Sequence, residues 1–177
     1  MTTPAIPPST PRTYEAHAES TEIFGRVAAS VRTHRLTVDG PVRNGAPGEA
    51  PTPGELVLVA VASCGAEVLQ VLARDAGAPL DAVTVTARGT IDLEHQPHPG
   101  VTVFSSVELD IVLRGPIPEQ AAALVAGFQR RCPVYGSLAV ASGRMSVHHH
   151  AEPGTDQPET PGGVRRLPQA SLTGEVR

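Results

Sequence analysis

Cys64 and Cys132 are the only cysteines in a chain of 177 residues. Thiols can pair as a disulfide, bind a metal or attack an electrophile. Two cysteines in a chain with no secretory leader pattern do not read as a structural disulfide. They are too few for a structural zinc site unless histidine joins them. What remains is nucleophilic thiol chemistry or two inert buried thiols. Local sequence ranks them. Cys132 precedes Pro133, which suits the first position of a helix, so its sulfur falls at a helix N-terminus where unpaired N–H groups favour a thiolate. Arg130 and Arg131 add positive charge. Cys64 falls inside an apolar run, where burial raises a thiol pKa. By local chemistry Cys132 is the more acidic thiol.

The run that carries Cys64 organises the rest of the chain. Residues 53–77 predict one long helix with Thr52 as N-cap, Pro53 at its first position and Gly77 as the left-handed stop. Val57, Val61, Cys64, Val68 and Leu72 fall on one face, and Leu56, Val59 and Leu69 widen it, so this helix should be packed on several sides. Before it, alternation predicts strands from Thr21 to Val31 and from His34 to Val38, followed by a Gly/Pro-rich loop over residues 40–52. After it, two alternating strands span residues 83–94 and 101–113, with a turn at His95–Gly100. Pro118–Arg131 predicts a second helix that stops before Pro133. A short third helix and a last strand, Gly143–Val147, follow. The fold expected is α+β, an antiparallel sheet wrapped on the long helix. Residues 1–18 read as a disordered arm, 19–150 as one domain and 151–177 as a disordered tail.

Composition narrows the function. The net charge of −4 gives no electrostatic case for nucleic acid. No apolar run approaches the roughly 18 residues of a membrane span, so neither a membrane nor a signal sequence is expected, and the default location is the cytoplasm. The chain has no lysine, which excludes Schiff-base chemistry and a Walker-type phosphate loop. With three Phe, two Tyr and no Trp, the core must be aliphatic.

Several stretches together resemble the OsmC family, the osmotically inducible protein C and organic hydroperoxide resistance proteins. They are Pro51-Thr52-Pro53-Gly54-Glu55-Leu56-Val57-Leu58 leading into Ser63-Cys64, His34–Asp39 with the loop that follows, and Cys132-Pro133-Val134-Tyr135. The resemblance covers about residues 20–148 in the family's order. It implies an intertwined homodimer with active sites at the subunit interface. It also implies a thiol-dependent peroxidase that needs no cofactor, acts on organic hydroperoxides and is reset by an external dithiol. By position, Cys64 becomes the peroxidatic nucleophile and Cys132 the resolving thiol, which reverses the local ranking. An Arg and a Glu would activate Cys64. For the Arg, Arg26 and Arg35 are both candidates, with Arg35 preferred. For the Glu, Glu55 is the candidate, although Gly54 stands where the hydroperoxide-resistance branch has its carboxylate. That departure motivates an alternative, a family member that binds a small apolar ligand or uses Cys64 for another thiol reaction. His148-His149-His150 lacks carboxylate or Cys partners at ligand spacing, so no metal site is expected. Ser63-Cys64-Gly65 is not a nucleophile elbow, because G-x-S-x-G is absent.

Overall fold

The long helix α1 runs Pro53–Ala76, and its ends explain its limits. The Thr52 hydroxyl accepts from the Glu55 N–H at 3.3 Å, and a Glu55 carboxylate oxygen accepts from the Thr52 N–H at 2.7 Å. This capping box satisfies two donors that a helix start leaves free. Gly77 closes the other end at φ 63°, where a side chain would be strained. Val61, Gly65, Leu69 and Ala73, spaced by four, are the buried stripe. Leu58, Cys64, Val68 and Leu72 beside that stripe are partly buried against the same core, whereas Val59 is 59% exposed and Val57 is exposed near it. The expectation of packing on several sides is met except on the side that carries Val57 and Val59. α1 is also long and apolar enough, by length and composition, to cross a membrane, which corrects the sequence reading. Here it packs against β4, α2 and α3.

The computed structural model describes residues 11–154. Two three-stranded sheets flank α1 in the sequence. The first joins β1 (His17–Ser20), β2 (Arg26–Val31) and β3 (His34–Asp39), all antiparallel. The second joins β4 (Ala82–Thr90), β5 (Ser106–Arg114) and β6 (Met145–Glu152). Between β5 and β6 lie α2 (Pro118–Arg131) and α3 (Pro133–Ala141). This crossover lets β6 return parallel to β5, the one pairing in the second sheet that is not antiparallel. Along β5, Val107, Leu109, Ile111 and Leu113 alternate inward at 0% exposure and meet Leu124, Val125 and Phe128 of α2. Gly65 faces the Phe128 ring at close range.

The α+β class, the central helix and both following helices agree with the sequence reading. Strand limits differ. Residues 21–25 form a turn, tied by the Thr21 hydroxyl to the carbonyls of Ile23 and Arg26, so β2 starts only at Arg26. β1 occupies His17–Ser20, reaching into the stretch 1–18 read as an arm. Residues 91–105 are one long loop rather than strand ends and a short turn, held by side chains. The Gln96 amide oxygen accepts from the Val103 N–H at 2.7 Å, and Ser105 Oγ accepts from the Asp92 N–H at 2.9 Å. β6 extends to Glu152, past the boundary at 150. Residues 1–10 and 155–177, the bulk of the arm and tail, lie outside the described residues.

Candidate active site

Cys132 occupies a corner that sequence chemistry builds. The residue before Pro133 resists helical geometry, so α2 ends there and α3 begins. The Cys132 N–H donates to the Phe128 carbonyl at 2.9 Å, closing α2, and its own carbonyl accepts from the Gly136 N–H at 3.0 Å, opening α3. Its sulfur is the N-cap of α3 and accepts from the Tyr135 N–H at 3.4 Å. Pro133 has no N–H to offer, so the second and third positions of α3 supply the donors. The Phe128 and Tyr135 rings pack edge-on at 5.1 Å beside the corner, and the Tyr135 hydroxyl accepts from the Gln129 amide at 3.1 Å.

α1 brings Cys64 to the same place. The two sulfurs lie 2.6 Å apart, although 68 residues separate them. A disulfide needs about 2.05 Å, so once an oxidant takes two electrons and two protons are lost, only a small closing movement is left to make the bond. Cys132 is 2% exposed, whereas Cys64 is half-buried. Burial pushes the Cys64 thiol up to about 11, and the hydrogen bond and charge of Cys132 add to that; the Val134 N–H pulls the other way and the Glu67 carboxylate again raises it. None of these influences is a cation. Inside a single chain Cys64 is therefore held as a thiol at neutral pH.

The other expected residues are not gathered here. Glu55 is spent on the capping box, where the Thr52 N–H and hydroxyl hold its carboxyl below the usual range. Nine residues of helix put it roughly 13 Å from Cys64 along the axis. Arg35 lies in β3 opposite Ser30, and no hydrogen bond or ion pair joins it to either sulfur among the described residues. Arg26 is engaged elsewhere. Its Nε and a terminal nitrogen grip both oxygens of Asp39 at 2.8 and 2.9 Å, and the same terminal nitrogen reaches Glu49 at 2.8 Å. Asp39 is fully buried and also accepts from the N–H groups of Glu49 and Ala50. The Arg26 guanidinium, helped by those donors, holds the Asp39 carboxyl well below the ordinary carboxylate range despite its burial. The sequence reading missed Asp39. The signal lay in the hairpin: a two-residue turn at Arg32-Thr33 pairs Val31 with His34 and so sets Arg26 opposite Asp39.

His148 and His150 share one face of β6 while His149 takes the other. Among the described residues no group of three or more His, Cys, Asp or Glu side chains could hold a metal ion. A separate groove of about 420 Å³ lies at the start of α1, walled by Gly54, Leu58, Ile91, Leu93 and Phe104 with Arg43 at its edge. Gly89 permits this wall, because a Cβ there would meet the Phe104 ring at 2.7 Å.

Comparison with known proteins agrees with this fold. The family model for OsmC-like proteins matches residues 46–142. An OsmC-like protein from Mycoplasma pneumoniae superposes with a TM-score of 0.70 at 15% identity, over 81% of this chain and 99% of its own. An organic hydroperoxide resistance protein from Elizabethkingia anophelis, with thiocyanate bound, gives 0.65 at 20% identity over 80% and 99%. An organic hydroperoxide resistance protein from Legionella pneumophila gives 0.63 at 22% identity over 79% and 99%. A search of curated protein sequences finds no match.

Proposed function

The chain belongs to the OsmC-like family, and from that premise we propose that it is a thiol-dependent peroxidase that reduces organic hydroperoxides. The observation that carries this reading is the pair of thiols 2.6 Å apart, one half-exposed and one buried, at the corner of α1, α2 and α3. The Cys64 thiolate attacks the distal peroxide oxygen, the O–O bond breaks, and an alcohol leaves with one proton. Cys64 becomes a sulfenic acid. Cys132 attacks that sulfur, expelling water and forming the disulfide. An external dithiol returns both cysteines to thiols, a step that suits the reducing cytoplasm.

The activating cation comes from a second copy of the chain. The uncovered side of α1 and the largely exposed sheet β1-β2-β3 are the surfaces such a homodimer buries. Glu55, roughly 13 Å along the helix axis from Cys64, and Arg35, which bonds to neither sulfur among the described residues, serve a thiol across that interface. Peroxide consumption, followed with cumene hydroperoxide and dithiothreitol, tests the reading. Turnover lost in Cys64→Ser supports it. A wild-type protein that consumes no peroxide while its thiols titrate normally sinks it.

One observation favours a second reading. Gly54 stands where the hydroperoxide-resistance branch has its carboxylate, and the groove beside it has an apolar wall of Leu58, Ile91, Leu93 and Phe104 facing Arg43, Thr52 and Glu55. A small apolar ligand held there would raise the melting temperature at saturating concentration without any peroxide turnover.

A further inference from the structure

We propose that the disulfide, once formed, is reduced in one direction only: the incoming reductant bonds to the Cys64 sulfur, and Cys132 departs as the thiolate. This rests on the peroxidatic reading above for its place in a cycle, but the argument itself needs only the two sulfurs. Thiol–disulfide exchange is an in-line attack, so the attacked sulfur must be reachable and the departing sulfur must be able to carry charge. Cys64 is half-buried, and any opening that admits a peroxide to it admits a thiol. Cys132 is 2% exposed and shut in by Phe128 and Tyr135. An attacker could reach it only through local opening of the α2–α3 corner.

The departing side is equally asymmetric. Cys132 keeps the N-cap place on α3, a helix of nine residues, with the Tyr135 N–H aimed at its sulfur at 3.4 Å. A negative charge arriving there meets a donor already in position and the positive end of the helix. Cys64 sits mid-helix with Glu67 one turn away and has no such cradle.

The balance is simple. The reductant thiolate forms a bond to Cys64 Sγ, the Cys64–Cys132 bond breaks, and Cys132 takes the electron pair and then a proton from water. The second thiol of the reductant attacks its own sulfur in the mixed disulfide and releases Cys64, so a cyclic disulfide leaves and two electrons have been transferred. A monothiol fares worse. In the thiol form the two sulfurs lie 2.6 Å apart, so the freed Cys132 is placed to attack back, expelling the monothiol and restoring the starting bond. The external dithiol of the cycle above outruns that return by closing its own ring.

The test uses the full chain oxidised with diamide, so it needs no peroxide turnover. The oxidised protein is mixed with excess 2-mercaptoethanol, acid-quenched, unfolded, alkylated and digested. The mercaptoethanol adduct is expected on the Cys64 peptide and the alkyl group on the Cys132 peptide. Without trapping, Cys132→Ser and Cys64→Ser compare access to each sulfur by their plateau rates with the neutral 4,4′-dithiodipyridine at high pH, where the raised Cys64 thiol is also ionised. On that plateau the remaining Cys64 should react at least ~10-fold faster than the remaining Cys132. An adduct chiefly on Cys132, or rates within about twofold of each other, overturns the proposal. A peroxidase assay that fails while these results hold would remove the peroxide reading and leave the direction of reduction intact.

Discussion

At the Arg26–Asp39 pair, two segments of chain are joined by full charges, a bidentate grip and further backbone donors to the carboxylate. At the Cys64–Cys132 pair, two segments are joined by neutral sulfur in an aliphatic setting, with a single weak donor to the buried thiol. The first site has every partner it needs inside one chain. At the second, no cation among the described residues acts on the Cys64 thiol. A site complete in itself reads as architecture, and a site missing one charge reads as chemistry waiting for a partner or a substrate.

The largest expected effect separates the sites by function. Cys64→Ser should abolish peroxide turnover, and Cys132→Ser should consume one peroxide per site and stop at the sulfenic acid. Full turnover by Cys64→Ser would end the assignment. Next comes the missing cation. Within one chain the Cys64 thiol is pushed up to about 11. If the partner supplies Arg35, alkylation of Cys64 in the assembled protein should inflect below pH 9. Arg35→Ala should move that inflection back up and slow turnover on the order of 100-fold. An inflection unmoved by Arg35→Ala would mean the cation comes from elsewhere.

Breaking the complete site should do the reverse. Asp39→Asn leaves the partly buried Arg26 end with only the exposed Glu49 as countercharge, and the melting temperature should fall by about 5–10 °C with Cys64 alkylation unchanged. The pH sense follows from the depressed carboxyl. Asp39 stabilises the fold above the unfolded value of 3.8, and that contribution drains away as acid titrates the folded carboxyl below it. Thermal melts of wild type and Asp39→Asn should therefore converge as the pH drops under 4; parallel curves would deny the ion pair its role. The smallest effect belongs to Thr52→Ala, which removes one side of the capping box. It should cost about 1 kcal/mol, or roughly 2–4 °C, with no change at either sulfur.

The helices were legible because each carries its own punctuation. Thr52-Pro53, Gly77, Pro118 and Pro133 mark starts and stops that the structure keeps within a residue. The strand ends were not, because alternation continued through Ile91–Leu93 and Val101–Val103 while the real limit was set by Asp92, Gln96 and Ser105 folding the loop back on itself. The parallel return of β6 was hidden for a related reason: nothing within Met145–Glu152 says which neighbour it joins. At the site, rarity made the cysteines visible and the helix start at Pro133 gave Cys132 its setting. Asp39 looked like an ordinary turn residue, since its importance lies in a guanidinium 13 positions earlier.

Cys132 is at once the last link of α2, the first of α3 and a thiol facing α1. Joining it to Cys64 would close a loop holding β4, β5 and all of α2. Chain-entropy reasoning assigns such a loop about 4 kcal/mol of restraint on the unfolded chain. Thermodynamic reciprocity then ties two properties together. Whatever the bond adds to the fold, the fold adds to the bond, so the folded chain resists reduction more than its unfolded counterpart by about 90 mV. Heat, denaturant or a loosened α2–α3 corner would each make the same pair of sulfurs a stronger oxidant. The protein's electrochemical poise is in this sense a readout of how firmly it is folded.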